Sequence, residues 1–377
     1  MPPTSPNRID ALRPDAPALA AFGPYPVGVQ TLMLTNANQI DVSHTTATVL
    51  PRYNRPLTVE LWYPATRGTP SGTTYQTVLR DGLTPITLHG RARRDATAAA
   101  TRSPLVVVSH GYPGNRYLLG HLGENLASKG YVVAAIDHTD STYCDKAAIA
   151  STLVNRPLDL AFVISSLSQT HAAIVDAENI AIIGYSMGAY GSLVFGGAGL
   201  TDTALAHQSA PPQDLLARHK SGSALHRSLI DPRVKALIPI GLWGGQHGFW
   251  DAASLATLRT PVLFIAGSLD TVSDYQSGIR KTYLAATATD RHLLTFINAG
   301  HNAAAPIPAP AESWAAVDTL DFIPFEHYAD PVWDTLRMNN ITQHMITAYL
   351  GHHLKADPAI TDPNLPGITL EYLPANR

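Results

Sequence analysis

Residues 179–195 read NIAIIGYSMGAYGSLVF, and this stretch decides the fold. Its opening run, Ile180 to Ile183, is apolar without polar alternation, which predicts a strand buried on both faces. The helix-like segment MGAYGSLVF follows Ser186 directly. Between the two lies a single G-x-S-x-G motif, Gly184 to Gly188. A serine on such a tight strand-to-helix turn points out over the end of a sheet, so Ser186 is a candidate nucleophile; the alternative is a structural turn with an incidental serine.

Short apolar runs and helix-like segments alternate on both sides of this motif. An early strand is predicted at Leu57–Pro64, and buried strands are predicted at 104–109, 131–136, 179–183, 234–240, 260–266 and 292–297. Apolar residues at helical spacing predict helices over 117–129, over 157–170 with Pro157 in the first turn, and over 341–350 ending at Gly351. This alternation predicts an α/β fold with a doubly wound, mostly parallel sheet.

The chain is predicted to form a single domain over residues 1–377. Residues 1–30 are rich in proline and predict an extended N-terminal segment, and 66–102 predicts loops and a hairpin. Two stretches, 199–232 and 302–340, interrupt the strand–helix alternation. They are either disordered surface insertions or lids, and the lid interpretation is favoured because long loops inside a compact domain are more often functional lids and these two flank the candidate site.

Composition excludes several classes of protein. Lys and Arg total 26 against 29 Asp and Glu, without a block of like charge, which argues against a nucleic-acid partner. The single cysteine, Cys144, excludes an internal disulfide. The N-terminus lacks the pattern of a signal peptide, and no apolar run approaches the roughly 20 residues of a membrane span, so a cytoplasmic location is expected. The oligomeric state stays open.

A serine nucleophile needs a base, and the order along the chain selects one. In this type of site the acid and then the histidine follow the serine, on loops after late strands. Asp270 lies in GSLD, immediately after the strand TPVLFIA, and His301 lies in NAGHN, immediately after the last predicted strand. Asp251, which follows an earlier strand by several residues, is the competing acid. The predicted catalytic residues are therefore Ser186, Asp270 and His301.

Acyl transfer also needs hydrogen-bond donors for the oxyanion. The predicted donors are the backbone N–H groups of Met187 and of Tyr112, within HGYPG after the strand PLVVVS; His110 is expected to anchor this loop. Trp243 and Trp250, in LWGGQHGFW, either line an apolar substrate pocket or pack as loop. No spacing implies a metal site, and no cofactor motif follows a strand.

A longer segment carries a resemblance to known proteins. Residues 109–141, SHGYPGNRYLLGHLGENLASKGYVVAAIDHTDS, together with Phe22–Gly28, resemble the plasma-type platelet-activating-factor acetylhydrolase family, which is similar to dienelactone hydrolases and bacterial polyester hydrolases. The resemblance covers the first strand and 104–301. It implies an α/β-hydrolase fold, the same triad and oxyanion donors, and ester cleavage without a metal. The chain departs from the family pattern at Tyr185 and Ala189.

These features predict a serine hydrolase that cleaves a small-molecule carboxylic ester. An amidase or a lactonase could use the same residues, because the triad does not reveal the leaving group. The alternative outside the enzymes is a binding protein that has the same fold and no catalytic activity.

Overall fold

A computed structural model describes residues 7–146 and 149–376 of the chain. The strands in this part are β1 Val27–Ile40, β2 Arg52–Pro64, β3 Thr73–Val78, β4 Pro85–Gly90, β5 Arg93–Arg94, β6 Ser103–Ser109, β7 Val132–Asp137, β8 Val175–Tyr185, β9 Val234–Ile240, β10 Val262–Gly267, β11 Arg291–Phe296 and β12 Ile368–Leu373. The α-helices are α1 Gly120–Ala127, α2 Ile149–Thr170, α3 Met187–Phe195, α4 Asp202–Leu205, α5 Ala224–Leu229, α6 Ala252–Leu255, α7 Lys281–Ala285 and α8 Thr335–Lys355.

The strands form one large sheet and a separate hairpin. The order in the large sheet is β12-β11-β10-β9-β8-β6-β7-β2-β1-β5, and β3 pairs with β4 in the hairpin. The central strands from β11 to β7 are parallel, whereas β12 at one side and β2 and β1 at the other pair in the antiparallel sense. The doubly wound, mostly parallel sheet predicted from the sequence is confirmed.

Helices cover both faces of this sheet, which explains the unbroken apolar runs. In β6, Val106 and Val108 pack in the core shared with α1 and α8, while Leu105 and Val107 pack in the core shared with α2 and α3. Successive side chains of a strand point to opposite faces, so every position is apolar when both faces are buried.

Helix α2 begins earlier than predicted, and Pro157 lies inside it rather than in its first turn. A proline within a helix has no N–H to donate to the carbonyl four residues before it. The orphaned carbonyl of Leu153 instead accepts a hydrogen bond of 2.9 Å from the hydroxyl of Tyr190. A tertiary contact thus satisfies the acceptor that the proline leaves unpaired.

Helix α8 also extends beyond the predicted 341–350, and Gly351 does not end it. The helix ends at Lys355, and the residue that caps it, Ala356, adopts a left-handed conformation with φ of 58°. A β-carbon at Gly351 would lie 2.4 Å from a carboxylate oxygen of Asp357. The glycine is therefore explained by the close approach of the chain after the helix.

The N-terminal segment and the edges complete the architecture. Residues 7–26 contain one short 3-10 helix, Ala18–Ala20, before β1 begins at Val27; residues 1–6 of the predicted extended segment lie outside the described part. The outer strands β1 and β12 were not predicted, nor was the two-residue strand β5 that pairs with β1 at the edge. Within the described residues, the helices are too short or too polar to cross a membrane.

Candidate active site

Ser186 occupies the sharp turn between β8 and α3. Its backbone angles are φ 53° and ψ −109°, a conformation that non-glycine residues rarely adopt. The surrounding hydrogen bonds hold it there: its N–H donates to the carbonyl of Ile240 at 2.8 Å, and its carbonyl accepts from the N–H of Tyr190 at 3.0 Å. The strained backbone places the hydroxyl at the carboxyl end of the sheet.

The two motif glycines allow the chain to pass close to itself at this turn. A β-carbon at Gly188 would lie 2.0 Å from the carbonyl oxygen of Ser109 on the neighbouring strand, and one at Gly184 would lie 2.2 Å from the carbonyl oxygen of Gly188. Both separations are far below van der Waals contact. The G-x-S-x-G spacing is thus required by backbone approach on both sides of Ser186.

The structure brings the three predicted catalytic side chains together. Nε2 of His301 lies 3.0 Å from Oγ of Ser186, and Nδ1 of His301 lies 2.8 Å from Oδ2 of Asp270. Because a carboxylate can only accept, the ring proton sits on Nδ1, which leaves Nε2 to accept the serine proton. The other oxygen of Asp270 accepts the backbone N–H groups of Val272 and Ser273, each at 2.9 Å.

The competing acid, Asp251, is placed elsewhere. Its side chain accepts the N–H of Ser254 at 2.7 Å and caps helix α6. It is exposed and serves the local helix end, so the structure groups Asp270, and not Asp251, with His301.

The two predicted oxyanion donors lie beside Ser186. Met187 is the first residue of α3, so its N–H is among those that have no partner within the helix. Tyr112 lies on the loop after β6, and both residues line the same cavity as Ser186.

A buried arginine that the sequence analysis missed holds this loop. Arg156, only 1% exposed, donates to the carbonyl oxygens of His110 and Gly111, and to the hydroxyl of Ser141 at 2.6 Å. The loop interaction expected of His110 is present: Nδ1 lies 2.7 Å from the carbonyl of Gly111, and Nε2 accepts the N–H of His138 at 3.3 Å. Burial lowers the pKa of His110 well below its usual value, so the ring is neutral. In the sequence, Arg156 has no signal beyond being a charged residue amid apolar helix positions.

A second buried network continues behind this loop. Nδ1 of His138 lies 2.9 Å from Asp159, which pairs with Arg55 at 2.8 Å, and Nε2 of His138 lies 2.9 Å from the hydroxyl of Ser109. The Arg55 guanidinium outweighs the effect of burial and lowers the pKa of Asp159 to about 2. The strand end and the helix α2 are therefore joined by hydrogen bonds beneath the candidate site.

A cavity of about 740 Å³ opens beside Ser186 and His301. Its aromatic walls come from Tyr112, Tyr185 and Trp243, and from Phe322, Phe325 and His327 in the segment 302–340. Across the described residues, no cluster of three or more His, Cys, Asp or Glu side chains is arranged to hold a metal ion.

The two tryptophans predicted to bind substrate have different places. Trp243 is half-buried and lines the cavity. The prediction for Trp250 is corrected: it does not line the cavity and is only 5% exposed. Its indole N–H donates to the carbonyl of Ala198 at 3.2 Å, and its ring lies 5.9 Å from that of Tyr190. Trp250 therefore packs in the core behind α3.

The segments 302–340 and 199–232, both considered as lids, differ in whether they line the cavity. The segment 302–340 is hydrogen-bonded to the residues on either side of His301. The side-chain amide of Asn302 donates to the carbonyls of Glu326 and Ala329 at 2.7 and 2.8 Å, and the N–H of Gly300 donates to Asp330 at 2.6 Å. This segment thus forms one wall of the cavity and is tied to the histidine loop.

The segment 199–232 does not line the cavity, contrary to the expectation that it forms a lid. Its histidines hold it against the back of the helical layer: Nε2 of His219 lies 2.8 Å from the carbonyl of Val154 in α2, and Nε2 of His226 lies 3.0 Å from that of Val194 in α3. These contacts fix the segment against α2 and α3, and its His207 packs behind the cavity wall, with its ring 6.1 Å from that of Trp243.

Known proteins share this architecture. A solved ferulic acid esterase from Streptomyces cinnamoneus superposes with a TM-score of 0.65 at 21% identity, covering 97% of this chain and 99% of that one. The chain has the α/β-hydrolase fold. At this level of identity the likeness shows the fold alone.

Sequence relatives of this chain match over a shorter length. Residues 71–208 match the family model described as PET hydrolase-like (PETase). Cutinase est1 of Thermobifida alba is 28% identical over 197 residues, and cutinase cut1 of Thermobifida fusca is 27% identical over 178 residues. These matches cover 52% and 47% of this chain, and 52% and 43% of the two cutinases. The chain thus spans about half the length of the curated relatives that it matches.

Proposed function

We propose that this protein is a serine hydrolase that cleaves small-molecule carboxylic esters through an acyl-enzyme. One observation carries the proposal: Ser186, His301 and Asp270 form a continuous line of contacts of 3.0 and 2.8 Å beside a cavity with aromatic walls. The similarity to proteins named as cutinases and to the PET hydrolase-like family model supports an ester as the substrate.

In the first half-reaction, Oγ of Ser186 attacks the ester carbonyl while Nε2 of His301 takes the hydroxyl proton. Asp270 keeps the ring in the tautomer that leaves Nε2 free and stabilises the imidazolium that forms. The backbone N–H groups of Met187 and Tyr112 donate to the oxyanion. His301 then returns the proton to the departing alcohol.

In the second half-reaction, water replaces the alcohol. His301 removes a proton from the water as it attacks the acyl carbonyl, and the same proton returns to Oγ of Ser186 when the acid leaves. Because the base must be neutral to accept the serine proton, we expect activity to be lost in acid and to rise as the pH increases.

The test compares p-nitrophenyl esters of increasing acyl length on the wild type, Ser186→Ala and Ser192→Ala. Ser192 is a matched control, because its buried hydroxyl, in the helix α3 that follows Ser186, donates to the carbonyl of Ala189 at 2.8 Å. We expect Ser186→Ala to lose at least about 1,000-fold in kcat and Ser192→Ala to keep activity. Equal activity in the wild type and Ser186→Ala would refute the nucleophile. If no ester is cleaved, amides and lactones with the same acyl group are tested next. Cleavage of either would show that the triad acts on a different bond, and no cleavage would refute the proposed mechanism.

Two finer assignments remain predictions. The relatives found are cutinases, and they leave the particular resemblance to platelet-activating-factor acetylhydrolases and dienelactone hydrolases without support of its own. The cytoplasmic location also stays a prediction, which fractionation of the native cells and their medium would test.

A further inference from the structure

A guanidinium group lines the cavity that contains the candidate triad. Arg80 lies in the loop between β3 and β4, is half-buried, and borders the same space as Ser186 and His301. Its Cζ lies 5.7 Å from the centre of the Phe322 ring. The proposed reaction gives this cation no role.

The neighbour of Arg80 does not neutralise it. Its Nη1 lies 3.2 Å from Nδ1 of His327, whose Nε2 lies 2.6 Å from the hydroxyl of Tyr143. Burial lowers the pKa of His327 well below its usual value, so the ring is neutral. A neutral ring accepts from Arg80 at Nδ1 and donates to Tyr143 at Nε2. The positive charge therefore stays on Arg80.

No carboxylate of the described residues pairs with Arg80, and no carbonyl or hydroxyl oxygen among them accepts from it, as such oxygens do from the buried Arg156. Arg116 pairs with Asp137, and Arg55 pairs with both Asp140 and Asp159. Within residues 7–146 and 149–376, the hydrogen bonds of Arg80 are confined to the one at Nη1. The Nε and Nη2 edge, which fits the two oxygens of a carboxylate, thus remains available to a ligand.

The two carboxylates that border the cavity, Asp330 and Glu326, do not pair with Arg80. Asp330 accepts the N–H groups of Gly300, Val332 and Trp333 at 2.6 to 2.9 Å. Glu326 is exposed at the rim. Arg80 therefore has no anionic partner among the described residues, and the carboxylate of a bound ligand would supply one.

We propose that Arg80 binds an ionised carboxylate of the substrate, so that the preferred substrates are esters that carry a second, free carboxylate group. This inference rests on the proposed ester hydrolysis. The scissile ester would lie at Ser186 and the free carboxylate at Arg80, with Trp243, Phe322 and Phe325 around the part that joins them. Hydrolysis then yields a diacid, or an acid and a carboxylate-bearing alcohol.

The test uses two p-nitrophenyl esters of equal length, with 5-carboxypentanoyl and 5-carbamoylpentanoyl as acyl groups. A second pair, the 4-carboxybenzoyl and 4-carbamoylbenzoyl esters, varies the shape of the spacer. We expect the wild type to prefer the carboxylate in at least one pair by about tenfold or more in kcat/KM. Arg80→Gln should abolish this preference while retaining the activity towards the carbamoyl esters, and Arg80→Lys should retain part of it. Glu326→Gln is the matched control and should keep or increase the preference.

The outcomes separate the two proposals. Cleavage of the carbamoyl esters without a carboxylate preference, or an equal preference in the wild type and Arg80→Gln, overturns the role of Arg80 and leaves ester hydrolysis standing. If no ester is cleaved, ester hydrolysis fails and this inference falls with it. Binding to Ser186→Ala gives a readout without turnover: monomethyl adipate should bind more tightly than its amide, and Arg80→Gln in that background should remove the difference.

Discussion

Nη2 of Arg156 donates to the carbonyl oxygen of Gly111 at 2.8 Å, from a position in α2 that is closed to solvent. The same guanidinium donates to the carbonyl of His110. These two carbonyls immediately precede Tyr112, whose N–H is a proposed oxyanion donor. Arg156 is therefore a positioning residue, which acts on the reaction through the backbone of this loop.

Replacement of Arg156 by Met should lower kcat by roughly tenfold or more with a small change in KM, because the oxyanion forms only during the reaction. It should also lower the free energy of unfolding by about 2–4 kcal/mol, since it leaves buried carbonyls without a donor. Arg156→Lys should restore part of kcat. Ser141→Ala, which removes one partner and leaves both carbonyl bonds, is the control. Unchanged kcat in a folded Arg156→Met would refute the positioning role.

The two tryptophans of the loop after β9 should respond in opposite ways. Trp243→Ala enlarges the cavity and should change KM and the preferred acyl length, with a modest effect on stability. Trp250→Ala opens a void in the core and should lower the free energy of unfolding by about 3–5 kcal/mol. Ester kinetics across an acyl series and denaturant unfolding measure the two effects. The same response from both variants would contradict the separate placement of Trp243 and Trp250.

His121 should make the protein less stable in mild acid. Burial lowers its pKa to about 3, and in the described part of the chain neither ring nitrogen has a hydrogen-bond partner. In the unfolded chain a histidine takes up a proton near pH 6.5, so between pH 6.5 and 3 the unfolded state binds more protons and stability falls as pH falls. This residue alone should lower the free energy of unfolding by about 2 kcal/mol between pH 7 and pH 5.

Between pH 7 and pH 5, the free energy of unfolding of His121→Leu should therefore fall by about 2 kcal/mol less than that of the wild type. Urea unfolding at each pH measures this difference. The comparison at pH 8 is the control, because the histidine is neutral in both states there. If the free energy of unfolding depends on pH in the same way in the variant and the wild type, protonation of His121 does not cause the loss of stability in acid.

Gly188→Ala should abolish activity or prevent folding. The new methyl group would lie 2.0 Å from the carbonyl oxygen of Ser109, and two packed backbone segments cannot separate without displacing Ser186. Gly120→Ala is the matched control at a helix start: its methyl group would lie 3.3 Å from the flexible end of Ile9 and should change stability by no more than about 1 kcal/mol. Normal ester kinetics in Gly188→Ala would contradict the close approach.

Much of the fold could be predicted because the signals are local. The strand at 234–240 has the predicted bounds, and the other central strands agree to within a few residues, since a strand buried on both faces is an uninterrupted apolar run. The outer strands β1 and β12 were missed because their exposed faces carry polar residues, as in TNANQ and TLEY. The start of α2 was missed because Pro157 is a local stop signal that a hydroxyl from another helix offsets.

The sequence by itself determined the doubly wound sheet, the tight turn at Ser186 and the order of serine, acid and histidine, because periodicity and glycine spacing are properties of short segments. Only the tertiary structure decided which acid meets His301, which tryptophan reaches the cavity, and that Arg156 and Arg80 border the site. These are distances between residues that are far apart in the chain, as with the 115 residues that separate Ser186 from His301. No local pattern encodes such distances, because they result from how the sheet, the helices and the segment 302–340 pack together.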